Sequence, residues 1–308
     1  MTTPKAMSNQ RYKIVGLGEI LWDMLPAGKQ LGGAPANFAY ISSLLGSDGI
    51  VASRIGNDSL GNEALQRLAA LGVTTEFVQR DLVHPTGVVQ VKVDHAGQPT
   101  FEIAQNSAWD FLDSTSDWQA LAQNADAICF GSLAQRSPVS RATIRRVLTA
   151  TQTKAVRVFD VNLRQAFFSS EVLAESMKVA DIVKLNHEEL PRIIELFGVE
   201  HRDEITSADS LMELHHLKLI CVTRGCRGSL LISRQGLNEH PGYRVQVADA
   251  IGAGDAFTAA LVHEYMRGAS LPEINETANR AGAWVASHVG AMPSPGEGGI
   301  RGEMARIG

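Results

Sequence analysis

The run DAIGAGDAFTAALVHEYM, beginning at Asp249, sets three small residues, Gly252, Ala253 and Gly254, directly ahead of Asp255 and a long apolar helix pattern. Small residues let successive backbone N–H groups converge, and a helix N-terminus adds its positive dipole end, so such a turn can cradle an anion. Asp255 could instead simply cap the helix. A cap needs no Gly-Ala-Gly in front of it, and Asp249 adds a second acid to the loop. Phosphoryl transfer calls for this grouping: donors for the charge developing on the phosphate, and a carboxylate to orient and deprotonate the attacking hydroxyl.

A second constellation lies in LGGAPANFAY, where Gly32 and Gly33 permit close backbone approach to a ligand and Asn37 offers both a donor and an acceptor early in the next helix. Paired polar contacts of that sort suit sugar hydroxyls. Asp23, in GEILWDMLP, can accept from two hydroxyls or serve as an ordinary turn residue. DVNLRQ places Asp160, Asn162 and Arg164 at the C-terminal end of an expected strand, the edge where open parallel sheets hold their ligands. In NHEE, Asn186 and Glu189 follow the next strand. Glu189 can hold a magnesium ion through water, or compensate a helix dipole.

Two other nucleotide motifs fail on spacing. Gly16-Leu17-Gly18 is followed by Glu19, Ile20 and Leu21 where the dinucleotide fingerprint needs a third glycine. No G-x-x-x-x-G-K-[ST] run is present, so the chain is not a P-loop enzyme.

These residues need elements to position them. Short apolar runs recur at 12–19, 49–56, 126–132, 155–161, 181–186 and 217–225, without polar alternation, as in strands covered on both faces. Between them Pro35 to Leu45, Ser59 to Leu71, Ser137 to Ala150, Ser169 to Val179 and Glu188 to Leu196 carry helical spacing, several opening on cap residues. Strand and helix in alternation predict an α/β/α sandwich around a mostly parallel sheet. From Gly87, GVVQVKVD alternates apolar and polar residues, HAGQP turns, and TFEIA continues. This reads as a half-exposed hairpin, either a small lid over a site or an ordinary edge hairpin. Its exposed face is also available as a contact between copies, so a homodimer is expected.

The 308 residues, 44% hydrophobic and 20% charged, allow a large core, and a formal charge of −5 gives no basic surface for nucleic acid or anionic membrane. No apolar run approaches the roughly 20 residues that span a bilayer. Residues 1–11 read as a frayed lead-in with no signal peptide, and 293–308 as an irregular, flexible tail, so the expected location is cytoplasmic. Of three cysteines, Cys129 and Cys221 belong in the core and Cys226 in a turn, with no spacing for disulfide or zinc.

Taken together, the motifs resemble the ribokinase-like, or PfkB, family of carbohydrate kinases, in the family's order from about Tyr12 to Gly290. Gly32, Gly33 and Asn37 meet the G-G-x-x-x-N signature, and Asp249, Gly252, Ala253, Gly254 and Asp255 meet D-x-x-G-A-G-D. The resemblance implies one ribokinase-like domain over 12–292, with a β-lid from segments near 20–34 and 84–108. It implies Asp255 as catalytic base, an anion hole from the 252–255 amides, and ATP with Mg²⁺ as cosubstrate and cofactor. Asn186 and Glu189 match the family's N-x-x-E. Thr223, Arg224, Gly225 and Gly228 match a nucleotide-side T-x-G-x-x-G, and Asn279 lies in the helix that flanks adenine in relatives. Arg164 matches an arginine that approaches substrate and phosphate in fructokinase-type members. Backbone near Asp249 and Ile251, with a loop around Ser287 to Ala291, implies a potassium site, although Ala250 stands where relatives usually carry Thr. GEILWDMLP, LGGAPANFA and FDVNLRQ look most like fructokinases, which implies D-fructose and Asp23 as a sugar ligand. A nucleoside, 2-keto-3-deoxygluconate or another furanose would use the same catalytic end, and a non-catalytic sensor on this fold could dispense with Asp255.

Overall fold

A computed structural model describes residues 11–26, 28–93, 99–200 and 202–307. The first half of the chain forms β1 (Lys13–Leu17), β2 (Leu21–Leu25), β3 (Gly28–Gly32), α1 (Ala34–Leu44), β4 (Asp48–Gly56), α2 (Ser59–Ala70) and β5 (Val78–Asp81). There follow β6 (Gly87–Val93), β7 (Pro99–Ile103), α3 (Ser116–Asn124), β8 (Ala127–Gly131), α4 (Pro138–Ala150) and β9 (Val156–Asp160). The second half adds α5 (Ser170–Val179), β10 (Ile182–Asn186), α6 (Glu189–Leu196), α7 (Glu204–Leu214), β11 (Leu219–Thr223), β12 (Ser229–Ser233) and β13 (Gly236–His240). It ends with α8 (Ala253–Met266), α9 (Leu271–Ala286) and α10 (Gly299–Met304).

Nine strands form one sheet in the order β13-β12-β11-β10-β9-β8-β1-β4-β5. It is parallel from β11 to β5, and β12 is the reversed strand, pairing antiparallel with both β11 and β13. The apolar runs read as strands are its central members. Successive residues of one strand feed opposite cores: Val15 and Leu17 join the side covered by α3 to α7, whereas Ile14 joins the side covered by α1, α2, α8, α9 and α10. Helices on both faces are what such continuous hydrophobicity requires. Cys129 and Cys221 are buried in this sheet and Cys226 is exposed.

A second sheet, ordered β3-β2-β6-β7, stands apart from the first. The alternating segment from Gly87 is its β6–β7 hairpin, with Val91 opposite Phe101. Apart from Pro99 the expected turn lies outside the described residues, as does the lead-in before residue 11. The tail departs from its reading as an irregular end. α10 forms there, Ile300 and Met304 are buried against α9, and Arg280 Nη1 donates to Met304 O at 2.9 Å. Glycine and proline obscured this: Gly298 has φ +98°, which lets the chain turn sharply into the short helix.

Candidate active site

The site lies where α8 begins. Gly252, at φ +79°, turns the chain into the helix, and a Cβ there would come within 2.5 Å of the Ala291 side chain, so only glycine lets this turn pack on the 287–291 loop. Asp249 braces the same junction, Oδ1 accepting from Ile251 N at 3.0 Å and Oδ2 from Gly290 N at 3.2 Å. No side chain caps the start of α8; Ala253 N bonds Ala250 O at 3.3 Å, and the next N–H groups of the first turn lack an intrahelical partner, so this end carries donors and the dipole's positive end.

Asp255 stands in the first turn of α8 and is bound across the cleft by Asn37 of α1, whose Nδ2 donates to Asp255 Oδ2 at 2.7 Å. Thus the two separate signatures meet through one hydrogen bond. Asn37 is buried, and its Oδ1 has no partner among the described residues. α1 reaches this place because Gly16 of β1 has no Cβ, which would overlap the Pro35 carbonyl, and because Gly33, at φ +108°, lies against Glu19 O. Burial and the neighbouring charge of Asp160 raise the Asp255 pKa to about 6, while the Asn37 bond, Lys184 and Arg164 pull it down. Glu19, buried and accepting from its own and the Ala34 amides, is pushed to about 7, chiefly by burial.

Beneath the turn Asp160, singled out in DVNLRQ, pairs with Lys184, which motif reading missed. Lys184 Nζ lies 3.1 and 3.2 Å from the two Asp160 oxygens, and Thr258 Oγ1 of α8 is 2.9 Å from Asp160 Oδ2. Lys184 is 7% exposed and remains charged, since the carboxylates around it outweigh its burial. A Cβ on Gly254 would lie 3.1 Å from Lys184 Nζ, so the ammonium is directly behind the anion cradle. The signal was a lysine inside an apolar strand, DIVKLN.

On the sugar side, Asp23 projects from β2 and Gly32 of β3 leaves it room: a Cβ on Gly32 would come within 2.7 Å of Asp23 Oδ2. Burial raises the Asp23 pKa, the Arg164 charge lowers it and Asp249 raises it. The Arg164 charge lowers the pKa of Asp23, Glu19 and Asp255 alike, so one cation acts on all three carboxyls.

On the other side of the turn a cavity of about 390 Å³ runs from Ala253 and Gly254 to Thr223, Gly225, Gly228 and Asn279. Those six were read from sequence as nucleotide residues or anion-hole members, and the fold brings them together. Asn279 Nδ2 is held by Ser229 Oγ and Asn275 O, both at 2.8 Å. Arg224 stands apart: its guanidinium pairs with Glu204 and Glu239, and it does not line the cavity. Sequence reading missed Tyr243, Arg244, Val245 and Val247, which lie in an irregular segment, and Phe257, Ala283 and Ala286. Asn279, Ala283 and Ala286 recur at helical spacing on α9, a stripe the sequence did carry.

Glu189 is placed less openly than a metal ligand. It is 5% exposed, with Oε1 accepting from Leu163 N at 2.7 Å and Oε2 from Asn186 N at 2.8 Å, while Asn186 Oδ1 accepts from Glu189 N at 2.8 Å. It therefore braces the loops after β9 and β10, which both end at the cleft. Among the described residues no group of three or more His, Cys, Asp or Glu could hold a metal ion.

The model of the pfkB family carbohydrate kinases matches residues 26–296. The chain belongs to this family. Fructokinase-1 of Oryza sativa is similar to this pfkB kinase at 30% identity over 316 residues, with 94% of this chain and 96% of that protein covered. A sugar kinase of Pyrococcus horikoshii, solved in complex with ATP, aligns with a TM-score of 0.77 at 30% identity over 91% of this chain and 94% of that one. A fructokinase of Vibrio cholerae, solved with fructose, ADP and a calcium ion, shares the fold at 24% identity, with a TM-score of 0.78 and coverage of 92% and 96%. The pfkB kinase is thus a carbohydrate kinase on an α/β fold with a large, mostly parallel sheet, as its motifs implied. No helix among its described residues is long and apolar enough to cross a membrane.

Proposed function

We propose that the chain transfers the γ-phosphoryl group of ATP to the primary O6 hydroxyl of D-fructose. The observation that carries this is the Asn37–Asp255 bond of 2.7 Å, which fixes a carboxylate beside the uncapped start of α8, between the Asp23 cleft and the 390 Å³ cavity. The nucleotide's base and ribose occupy the cavity and its phosphates point at the 252–255 amides. The sugar lies between Asp23, Asn37 and Asp255. Asp255 accepts the O6 proton as that oxygen attacks, and the amides hold the charge on the transferred group. With a pKa of about 6 the base is ionised at neutral pH yet basic enough to take the proton.

Magnesium, when bound, neutralises charge on the phosphates. Its chemistry fits a site with no protein cage, because magnesium keeps much of its water. Glu189 keeps one lone pair on each oxygen and could meet that shell only through water. Where the resemblance implies potassium, Asp249 already joins the two loops through its own oxygens.

Fructose is preferred to a sugar acid because the cleft presents Asp23, Asn37 Oδ1 and Asp255, acceptors that want hydroxyl donors, with Arg164 as the facing cation. Release of ADP, followed across a panel of neutral sugars, sugar acids and nucleosides, tests the reading. D-Fructose should show the highest kcat/KM; a higher value for 2-keto-3-deoxygluconate or a nucleoside overturns the substrate, and no ADP with any acceptor overturns the kinase.

A further inference from the structure

Gln30 of β3 lies directly opposite Asp23 in the β2–β3 register, so the two side chains stand side by side on one face of the small sheet. That face is the sugar side described above, where a Cβ on Gly32 would come within 2.7 Å of Asp23 Oδ2. Gln30 Oε1 is buried and has no hydrogen-bond partner among the described residues. Beyond it is Gly290, on which a Cβ would lie 3.6 Å from Gln30 Oε1, and Gly290 N is the group that donates to Asp249. Gln30 thus bridges from the Asp23 carboxylate to the loop that braces the anion turn. Among the described residues the other buried side-chain amide oxygen without a partner is Asn37 Oδ1, in the same cleft, whereas Gln135 is satisfied, its Nε2 donating to Gly131 O and Ser176 Oγ, each at 2.9 Å. A buried acceptor left unpaired is unfavourable and uncommon, so the two exceptions point to partners that arrive with substrate.

We propose that Gln30 is a specificity-determining substrate residue, its amide carbonyl accepting one sugar hydroxyl while Asp23 accepts the neighbouring one. This rests on the kinase reading above and deepens it. Two acceptors set across adjacent strands fit a neutral sugar with two adjacent free hydroxyls. A carboxylate at the same place brings no donor to Gln30 and a like charge to Asp23. Neither GGxxxN nor GAGD contains this position, so the selectivity is a property of this chain's own lid strand.

Gln30→Leu keeps the side-chain bulk and removes the acceptor. Steady-state ADP release should show the sugar KM raised about tenfold, the scale of one hydrogen bond with a buried partner left unpaired, with kcat and nucleotide KM changed less than about twofold. Against a series of monodeoxy sugars, the analogue lacking the hydroxyl that faces Gln30 should be used equally by wild type and variant, while the others keep the tenfold gap. Gln30→Met, of similar shape, repeats the measurement if the Leu variant melts early. An unchanged sugar KM, or an equal penalty on every deoxy analogue, overturns the assignment of Gln30. Absence of ADP release by the wild type with any sugar would instead sink the kinase reading on which it rests.

Discussion

Asp255 can take a proton only while ionised, and its neighbours decide when that is. Burial and Asp160 hold its pKa near 6, and the Asn37 bond is the strongest influence pulling it down. The rate should therefore fall as pH drops below about 6, where the base becomes protonated. Asp255→Asn should lower kcat by about 10²- to 10⁴-fold and leave the sugar KM nearly intact. Asn37→Ala removes a charge-assisted bond to the ionised form, so the acid limb of kcat/KM should move up by about one pH unit. A limb that stays in place would show that Asn37 binds sugar without governing the base. The separate readout matters, because loss of a sugar contact raises KM but does not move a pH limb.

At the level of elements, what the sequence displayed depended on how much of a residue's role is local. The strands showed through because both faces are buried, and the two signatures because close approach demands small residues there: Gly32 makes room for Asp23 and Gly252 for Ala291. What stayed hidden was pairing across distance. Nothing local says that Arg224 will turn to Glu204 and Glu239, that Glu189 will brace two loops, or that Tyr243 to Val247 will wall a cavity. The tail is the clearest case: its glycines and prolines suggest an irregular end, yet α10 buries Ile300 and Met304 under α9. Met304→Ala should cost about 2–4 kcal/mol, the usual range for a buried large-to-small change, and urea unfolding should show a lower midpoint at unchanged slope. An unaltered midpoint would mean that the helix contributes nothing to the fold.

For the whole molecule, the site is a place where folding stability is given up. The folded state holds a proton on Asp255 more tightly than the unfolded chain does, with a pKa of about 6 against 3.8. A group whose pKa is raised by folding contributes stability below its unfolded value and loses it as pH rises through its folded value. Glu19 has the same sign, moving from 4.5 to about 7. At pH 8 both are ionised in a poorly solvated cleft, and because Asp255 keeps one edge toward solvent its share of the loss is about 1–3 kcal/mol. Asp255→Asn removes that charge while keeping the shape and the chance to pair with Asn37. The inactive variant should then melt about 2–5 °C above wild type at pH 8, and the gain should shrink to about half at pH 5, where the folded wild type has largely regained its proton. Calorimetry at the two pH values checks this. A gain that is absent, or that fails to shrink at pH 5, would mean that Asp255 sits in a better solvated place than its neighbours imply, and the same measurement would weaken its case as the base.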